Sequence, residues 1–297
     1  MKTPNTLHRP SGPGSRSRSN PGISRPSGWR PRQPKASLAL LGGRRTFRLP
    51  AFNAAPSSLK GELRFVPLGG CGEVTRSCYI YEYENDIVII DMGLQFPEED
   101  MPGIDYLIPN IEYLKSRKEN IRGVVITHGH YDHIGAIPHL LDALGNPPLF
   151  ATALTRGIIL KRQDDFKHTP KPKIEVITTE SRLELGSFGV EFFHVNHNIP
   201  DSIGVVLKTP LGTIVHTGDF KFDHSPVNER PADITRISEL GRKGVLMLVS
   251  ESTDAEMPGH QISESDVQKS LEEIFKVAPG RIISATFASL LTRIQQL

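Results

Sequence analysis

From about residue 62 the chain alternates short apolar runs with polar or glycine-rich breaks. GELRFVPLGG, SCYIYEYEN and DIVIIDMG are β-branched and aromatic stretches bounded by Gly or Asn/Asp, the pattern of successive strands. NIEYLKSRKEN has a helical pattern, and GVVITHGH reads as a buried strand running into a polar cluster. Over HIGAIPHLLDALG, the residues Ile134, Ile137, Leu140, Leu141 and Leu144 recur at helical spacing, with Gly145 as the stop. Pro138 falls near the first turn of that helix, where proline is tolerated. Further strands are expected at PLFAT, KIEVITT, VEFFHVNH, SIGVVLKT, GTIVHTGDF and VLMLVS. ISESDVQKSLEEIFKVAPG predicts an amphipathic helix that starts between Ser263 and Ser265, RIISATF a last strand, and SLLTRIQQL the opening of another helix. Many strands with few helices predict an α/β fold in which sheet stacks on sheet and helices lie outside.

Composition divides the chain in two. Residues 1–61 hold 12 Lys/Arg and no Asp or Glu, which leaves 23 basic against 33 acidic residues over 62–297, a net charge of −10. The first segment, rich in Pro, Gly, Ser and Arg and without apolar periodicity, is expected to be a disordered basic extension. Its alternatives are a loose contact with a nucleic-acid backbone and an organelle transit peptide. No stretch approaches the ~18 apolar residues of a membrane span. Cys71 and Cys78 alone make no disulfide framework and a poor zinc pair, as expected of reduced thiols in a cytoplasmic protein.

The candidate chemistry sits where the apolar runs end. Asp91 follows DIVII, His128 and His130 follow GVVIT, His197 follows FFHVN, and Asp219 follows TIVHTG. In layered α/β folds, strand ends and their loops are where sites are built. In extended backbone His128 and His130 point the same way and can grip one ion. Asp132 and His133 follow as the chain turns into a helix and can face a neighbouring position. Imidazole and carboxylate without cysteine suit an open catalytic zinc site, and would also accept manganese or iron. The remaining histidines carry less. His139, His168 and His260 read as solvated or loop residues, and His194 as lying on the far face of its strand. His216 and His224 bracket Asp219, within reach of a substrate, and Ser252 has a turn role as its alternative to approaching the site.

H-x-H-x-D-H after an apolar strand resembles the signature of the metallo-β-lactamase-fold hydrolases. The ordered set LGGCGE, VIIDMG, HGHYDHIGA, VNHNIPDS, HTGDFKFD and SEST is similar, over about residues 62–297, to the ribonuclease J family of the β-CASP group. That resemblance implies an αββα metallo-β-lactamase sandwich. The domain would occupy residues 62–260 in this chain, with 261–297 as the start of a β-CASP insert in which the sequence stops, so the chain is expected to be a fragment. It implies two Zn²⁺ ions, with Mn²⁺ as an alternative. His128, His130 and His197 would hold one, Asp132 and His133 the other, and Asp219 would bridge them. Asp132, His133 and Asp219 would be the catalytic residues, with Asp91 orienting a ligand histidine from behind. The implied activity is hydrolysis of RNA phosphodiester bonds, endonucleolytic and 5′-to-3′ exonucleolytic, in the cytoplasm. The implied partners are RNA, further copies of the chain and other RNA-decay proteins, with no membrane. Two other readings remain open from the residues: a hydrolase of thioesters or lactams on the same fold, and a non-catalytic metal-binding subunit. The acidic balance of 62–297 is unlike a basic path for phosphates, and a nuclease would need that surface elsewhere.

Overall fold

The computed structural model describes residues 60–297, within the unit Phe52–Leu297 of the chain. The expectations for the basic extension fall outside the described residues, Lys60 and Gly61 apart. Six strands follow one another across the first sheet: β1 (Leu63–Gly69), β2 (Cys78–Tyr83), β3 (Asp86–Ile90), β4 (Ile121–Val125), β5 (Leu149–Ala151) and β6 (Ile174–Val176). β1, β2 and β3 pair antiparallel, and β3 to β6 pair parallel. The parallel connections carry the helices α1 (Glu112–Lys115), α2 (Tyr131–Ile134), α3 (Ile137–Leu140) and α4 (Ala153–Gln163). A second sheet holds β7 (Arg182–Leu185), β8 (Phe188–His194), β9 (Ile203–Thr209), β10 (Gly212–His216) and β11 (Met247–Val249), in the order β11-β10-β9-β8-β7. There β7 to β10 pair antiparallel, while α5 (Ile234–Lys243) carries the crossover to β11, which lies parallel to β10. α6 (Glu264–Val277) and α7 (Leu291–Gln296) follow.

Strand alternation sorts the apolar side chains into three layers. On the outer face of the first sheet, Ile80, Ile87, Ile89 and Val124 meet Leu114, Ile137, Leu140 and Ile159 from the helices. Their neighbours in sequence, Tyr81, Val88, Ile90 and Val125, face inward and pack with Phe188, Phe192, Val205, Leu207 and Ile214 of the second sheet. Phe193, Val206 and Val215 point the other way, against Leu240 of α5. The result is the expected helix–sheet–sheet–helix sandwich.

The same pairing brings the strand ends together. β3 and β4 are parallel neighbours, so their C-terminal ends lie side by side. β8 and β10, each antiparallel to β9, also end on a common edge. A backbone bond from Ile203 N to Thr127 O (3.1 Å) joins the start of β9 to the segment after β4. Lys221 N donates to Asn196 O (2.8 Å), which sets the segment after β10 beside the one after β8.

Two expectations need correction, and three elements were not anticipated. HIGAIPHLLDALG is not one helix: α2 and α3 are single turns. The carbonyls of Asp132 and His133, which would extend α2, accept instead from Ser77 N (2.9 Å) and Met92 N (2.7 Å), and Ala136 N donates to Met92 O (2.9 Å). Pro138 has no N–H with which to restore the ladder. Gly93 permits this docking, because a Cβ there would stand 1.6 Å from Asp132 O. All five apolar residues read as one face are nonetheless buried. RIISATF is not a strand; no other strand lies beside it among the described residues to share a ladder, and Ile283 and Phe287 are exposed. Finally, α4, α5 and β7 were not among the elements expected. The start of α6 falls at Ser263, whose side chain accepts from Ser265 N.

Phe192, which fills the layer between the sheets, and Leu248, exposed on edge strand β11, give contrasting variants. Phe192→Ala is expected to cost about 3–5 kcal/mol of unfolding free energy, and Leu248→Ala less than about 0.5 kcal/mol. Urea denaturation of the two variants checks the layer assignment.

Candidate metal centre

Four polypeptide segments deliver the expected residues to one place. Thr127 and His128 lie just past the end of β4, and His130 stands at the N-terminal boundary of α2 with extended backbone (φ −74°, ψ 151°). The loops after β8 and β10 bring His197 and Asp219. His128 Nε2 and His130 Nδ1 are 3.1 Å apart, and His197 Nε2 lies 3.2 Å from the same His130 nitrogen. Asp219 Oδ2 sits among them, 4.0 Å from His128 Nε2, 3.7 Å from His197 Nε2 and 3.4 Å from His133 Nε2. Two ligand sets result: His128, His130 and His197, and His128, His133 and Asp219. Asp132 lies at the margin of the second, its Oδ2 3.5 Å from His133 Nε2. His128 is common to both sets, and Asp219, expected as the bridge, belongs to the second.

Asp91 anchors the arrangement from below. It has a left-handed backbone (φ 61°), which aspartate tolerates better than most residues. Its Oδ1 accepts from Thr127 N (2.8 Å), and its Oδ2 accepts from Thr127 Oγ1 (2.8 Å) and lies 2.7 Å from His133 Nδ1. The carboxylate thus holds a proton on Nδ1 of His133 and leaves its Nε2 on the side of Asp132 and Asp219. Thr127 Oγ1 also lies 3.0 Å from His128 Nδ1, so the nitrogen that His128 offers is Nε2. Gly218, at φ 60°, lets the turn before Asp219 pass Thr127, whose Cβ would stand 3.0 Å from a Cβ at 218.

The electrostatics suit a cation. Burial, reinforced by His133, His197 and His130, holds His128 far below the ordinary histidine value. Burial also lowers His197 to about 4, against the pull of Asp219. For His133 burial works the same way, but Asp91, Asp219 and Asp132 outweigh it and raise it well above the ordinary value. Burial opposes ionisation of Asp219, yet His133, His197 and His130 bring it down to about 2. Three neutral imidazoles with converging nitrogens cannot all satisfy one another by hydrogen bonds. A metal ion accepts all three lone pairs, so the donor set fits one, and binding would displace the extra proton from His133.

A cleft of about 450 Å³ opens over Asp132, His133 and Asp219. Its walls are the loop between β1 and β2, including Glu73 and Thr75, and the stretch from Val249, the last residue of β11, to Thr253. Ser252 is among the lining residues, and so is His216. His216 is buried beneath the cleft, with Nδ1 2.9 Å from Tyr81 Oη and its ring edge-on to Tyr79. Burial lowers it to about 4. His194 stays outside the cluster, as its place on the strand predicts, bonded to Arg230 O (3.0 Å). His139 is not solvated: it is half-buried between the rings of Tyr106 and Phe166, which close over it from distant loops. His168, His224 and His260 are exposed. Thr127, Tyr81 and the loop before β2 were not anticipated. Only the placement of Thr127 directly before the histidine motif could have signalled the first of these.

The sandwich and its strand-end cluster define a class, and a family model described as the metallo-beta-lactamase superfamily matches residues 71–284. The chain belongs to that superfamily. Within it, the chain is similar to ribonuclease J of Thermus thermophilus, 39% identical over 239 residues, and to ribonuclease J 1 of Streptococcus pyogenes, 42% identical over 240 residues. These alignments cover 78% and 80% of this chain but 42% of each relative, so the chain spans less than half their length. A crystal structure of a protein of unknown function from Enterococcus faecalis shares the fold, with a TM-score of 0.60 at 17% identity over 79% of this chain and 62% of that one.

Two outcomes follow from the geometry. Asp91→Asn is expected to weaken metal affinity about 10–100-fold by loosening His133, as measured by competition with a chromogenic chelator. In the chelated protein, His197 and His216 titrate near 4 when folded and near the ordinary 6.5 when unfolded. The unfolded chain then binds more protons between those values, and stability falls as pH is lowered through that window. His133, raised when folded, contributes fully throughout it and does not reverse the sign. Melting temperatures of chelated protein between pH 7 and pH 4 test this, and a flat profile would contradict it.

Proposed function

We propose that this chain is part of a metal-dependent ribonuclease that hydrolyses RNA phosphodiester bonds, both internally and from the 5′ end. The observation that carries the reading is the coincidence of a His/Asp cluster fit for metal with 39–42% identity to ribonuclease J proteins across that cluster. In this proposal residues 62–260 belong to the metallo-β-lactamase domain, and 261–297 begin a β-CASP domain. The protein acts in the cytoplasm on RNA, as an assembly of like chains that meets other RNA-decay proteins. No helix among the described residues is long and apolar enough to cross a membrane.

Two zinc ions, or manganese in their place, would be held by His128, His130 and His197 and by Asp132 and His133, with Asp219 between them. Bound there, they would supply Lewis acidity and a water of lowered pKa for in-line displacement at phosphorus. The chain's own residues set the stage. Asp91 fixes the tautomer and aim of His133, and Thr127 does the same for His128. Asp132 and Asp219, at the floor of the cleft, are carboxylates that can take a proton from an attacking water. The loop before β2 and the segment after β11 bound a cleft of a size to admit a phosphodiester and its flanking sugars.

His130→Ala removes the nitrogen that lies within about 3 Å of both His128 and His197. Hydrolysis of 5′-phosphorylated RNA by the zinc-loaded variant is expected to fall at least ~100-fold, with the circular dichroism of the folded chain retained. Undiminished hydrolysis would overturn the assignment of the site.

A further inference from the structure

We infer that His216 is a further substrate-contacting residue, whose Nε2–H donates a hydrogen bond to a non-bridging phosphate oxygen of the RNA. This rests on the ribonuclease reading above. His128, His130, His133 and His197 belong to the two donor groups that could hold metal, whereas His216 belongs to neither. Its Nδ1 lies 2.9 Å from the hydroxyl of Tyr81, a fully buried residue of the layer between the sheets. That hydroxyl has one proton to place, and among the described residues the imidazole nitrogen is its acceptor. If His216 Nδ1–H donated instead, the tyrosine proton would be stranded in an apolar core, at a cost of roughly 1–3 kcal/mol. Tyr81 therefore donates, and the proton of neutral His216 resides on Nε2. The ring edge against Tyr79, at a centroid distance of 4.8 Å, fixes the plane.

The position gives that proton a use. His216 lines the cleft together with Asp132, His133 and Asp219. Nδ1 being occupied, Nε2 is the polar atom it can present there. The cleft is also lined by Glu73 and Glu251, and by no lysine or arginine. An anion entering a cavity so rich in carboxylates needs donors besides the metals. A neutral donor held on buried tyrosines meets developing charge on a phosphate oxygen without reorganising.

The test combines kinetics with a tautomer measurement on the zinc-loaded full chain. His216→Ala is expected to lower kcat for 5′-phosphorylated RNA about 100-fold with zinc content unchanged, and His216→Gln, which restores an N–H donor, to recover part of that loss. In long-range ¹H–¹⁵N spectra, wild-type His216 should carry its proton on Nε2. That signal should shift on titration with a phosphorothioate dinucleotide, and Tyr81→Phe should give a mixture of tautomers. A His216→Ala variant with wild-type kcat and KM, or a His216 protonated on Nδ1, would overturn the inference while leaving the ribonuclease reading intact. A wild-type chain that cleaves no RNA but whose Nε2–H signal shifts with the dinucleotide would sustain the contact and remove the ribonuclease reading. Loss of zinc from both His216 variants would make the residue structural and also overturn the inference.

Discussion

The carboxylate of Asp91 ties this structure's fold to its chemistry. It sits one residue past β3 in a left-handed conformation, and its two oxygens hold Thr127 twice and His133 once. Thr127 follows β4 closely and His133 belongs to α2, so three segments converge on one buried group. Thr127 in turn fixes His128, and its carbonyl receives Ile203 N of the second sheet. Loss of that carboxylate would leave three donors without their acceptor at the base of the cluster and free the rings of His133 and His128 to rotate. The strained backbone at Asp91 is sustained because the surroundings determine it from several sides.

Around this anchor the sandwich needs only to end its strands together. The dry layer between the sheets, from Tyr81 and Ile90 to Phe192 and Leu207, sets their spacing. The parallel pair β3–β4 and the parallel-running β8 and β10 then deliver ligands from opposite sides. Burial lowers the affinity of His128 and His197 for protons, and the carboxylates of Asp91, Asp132 and Asp219 compensate at His133. A cluster kept in this balance is poised for a cation. No lysine or arginine lines the cleft, in keeping with the net −10 over residues 62–297.

Much of this was legible in the sequence, because apolar alternation and strand-end polarity are local signals. Every candidate ligand named from the motifs lies at or beside the cluster, and the alternation in DIVII and FFHVN matches the layers in which those side chains lie. What was not legible depended on distant partners. The helix expected over HIGAIPHLLDALG is broken because residues 77 and 92, some forty to fifty-five positions earlier, capture its carbonyls. RIISATF has strand composition but no ladder beside it. α4 carries Gly157 at its middle and shows no side-chain cap, so its local pattern is weak. The enclosure of His139 by Tyr106 and Phe166 and the pairing of His216 with Tyr81 are likewise contacts between remote segments.

Anomalous diffraction at the zinc edge, from crystals of the zinc-loaded chain, reads directly whether the strand ends hold the two proposed metals. One peak is expected among His128 Nε2, His130 Nδ1 and His197 Nε2, and a second beside His133 Nε2 and Asp219. Zinc elsewhere on the chain, or a cluster that takes up none at saturating zinc, would contradict that proposal.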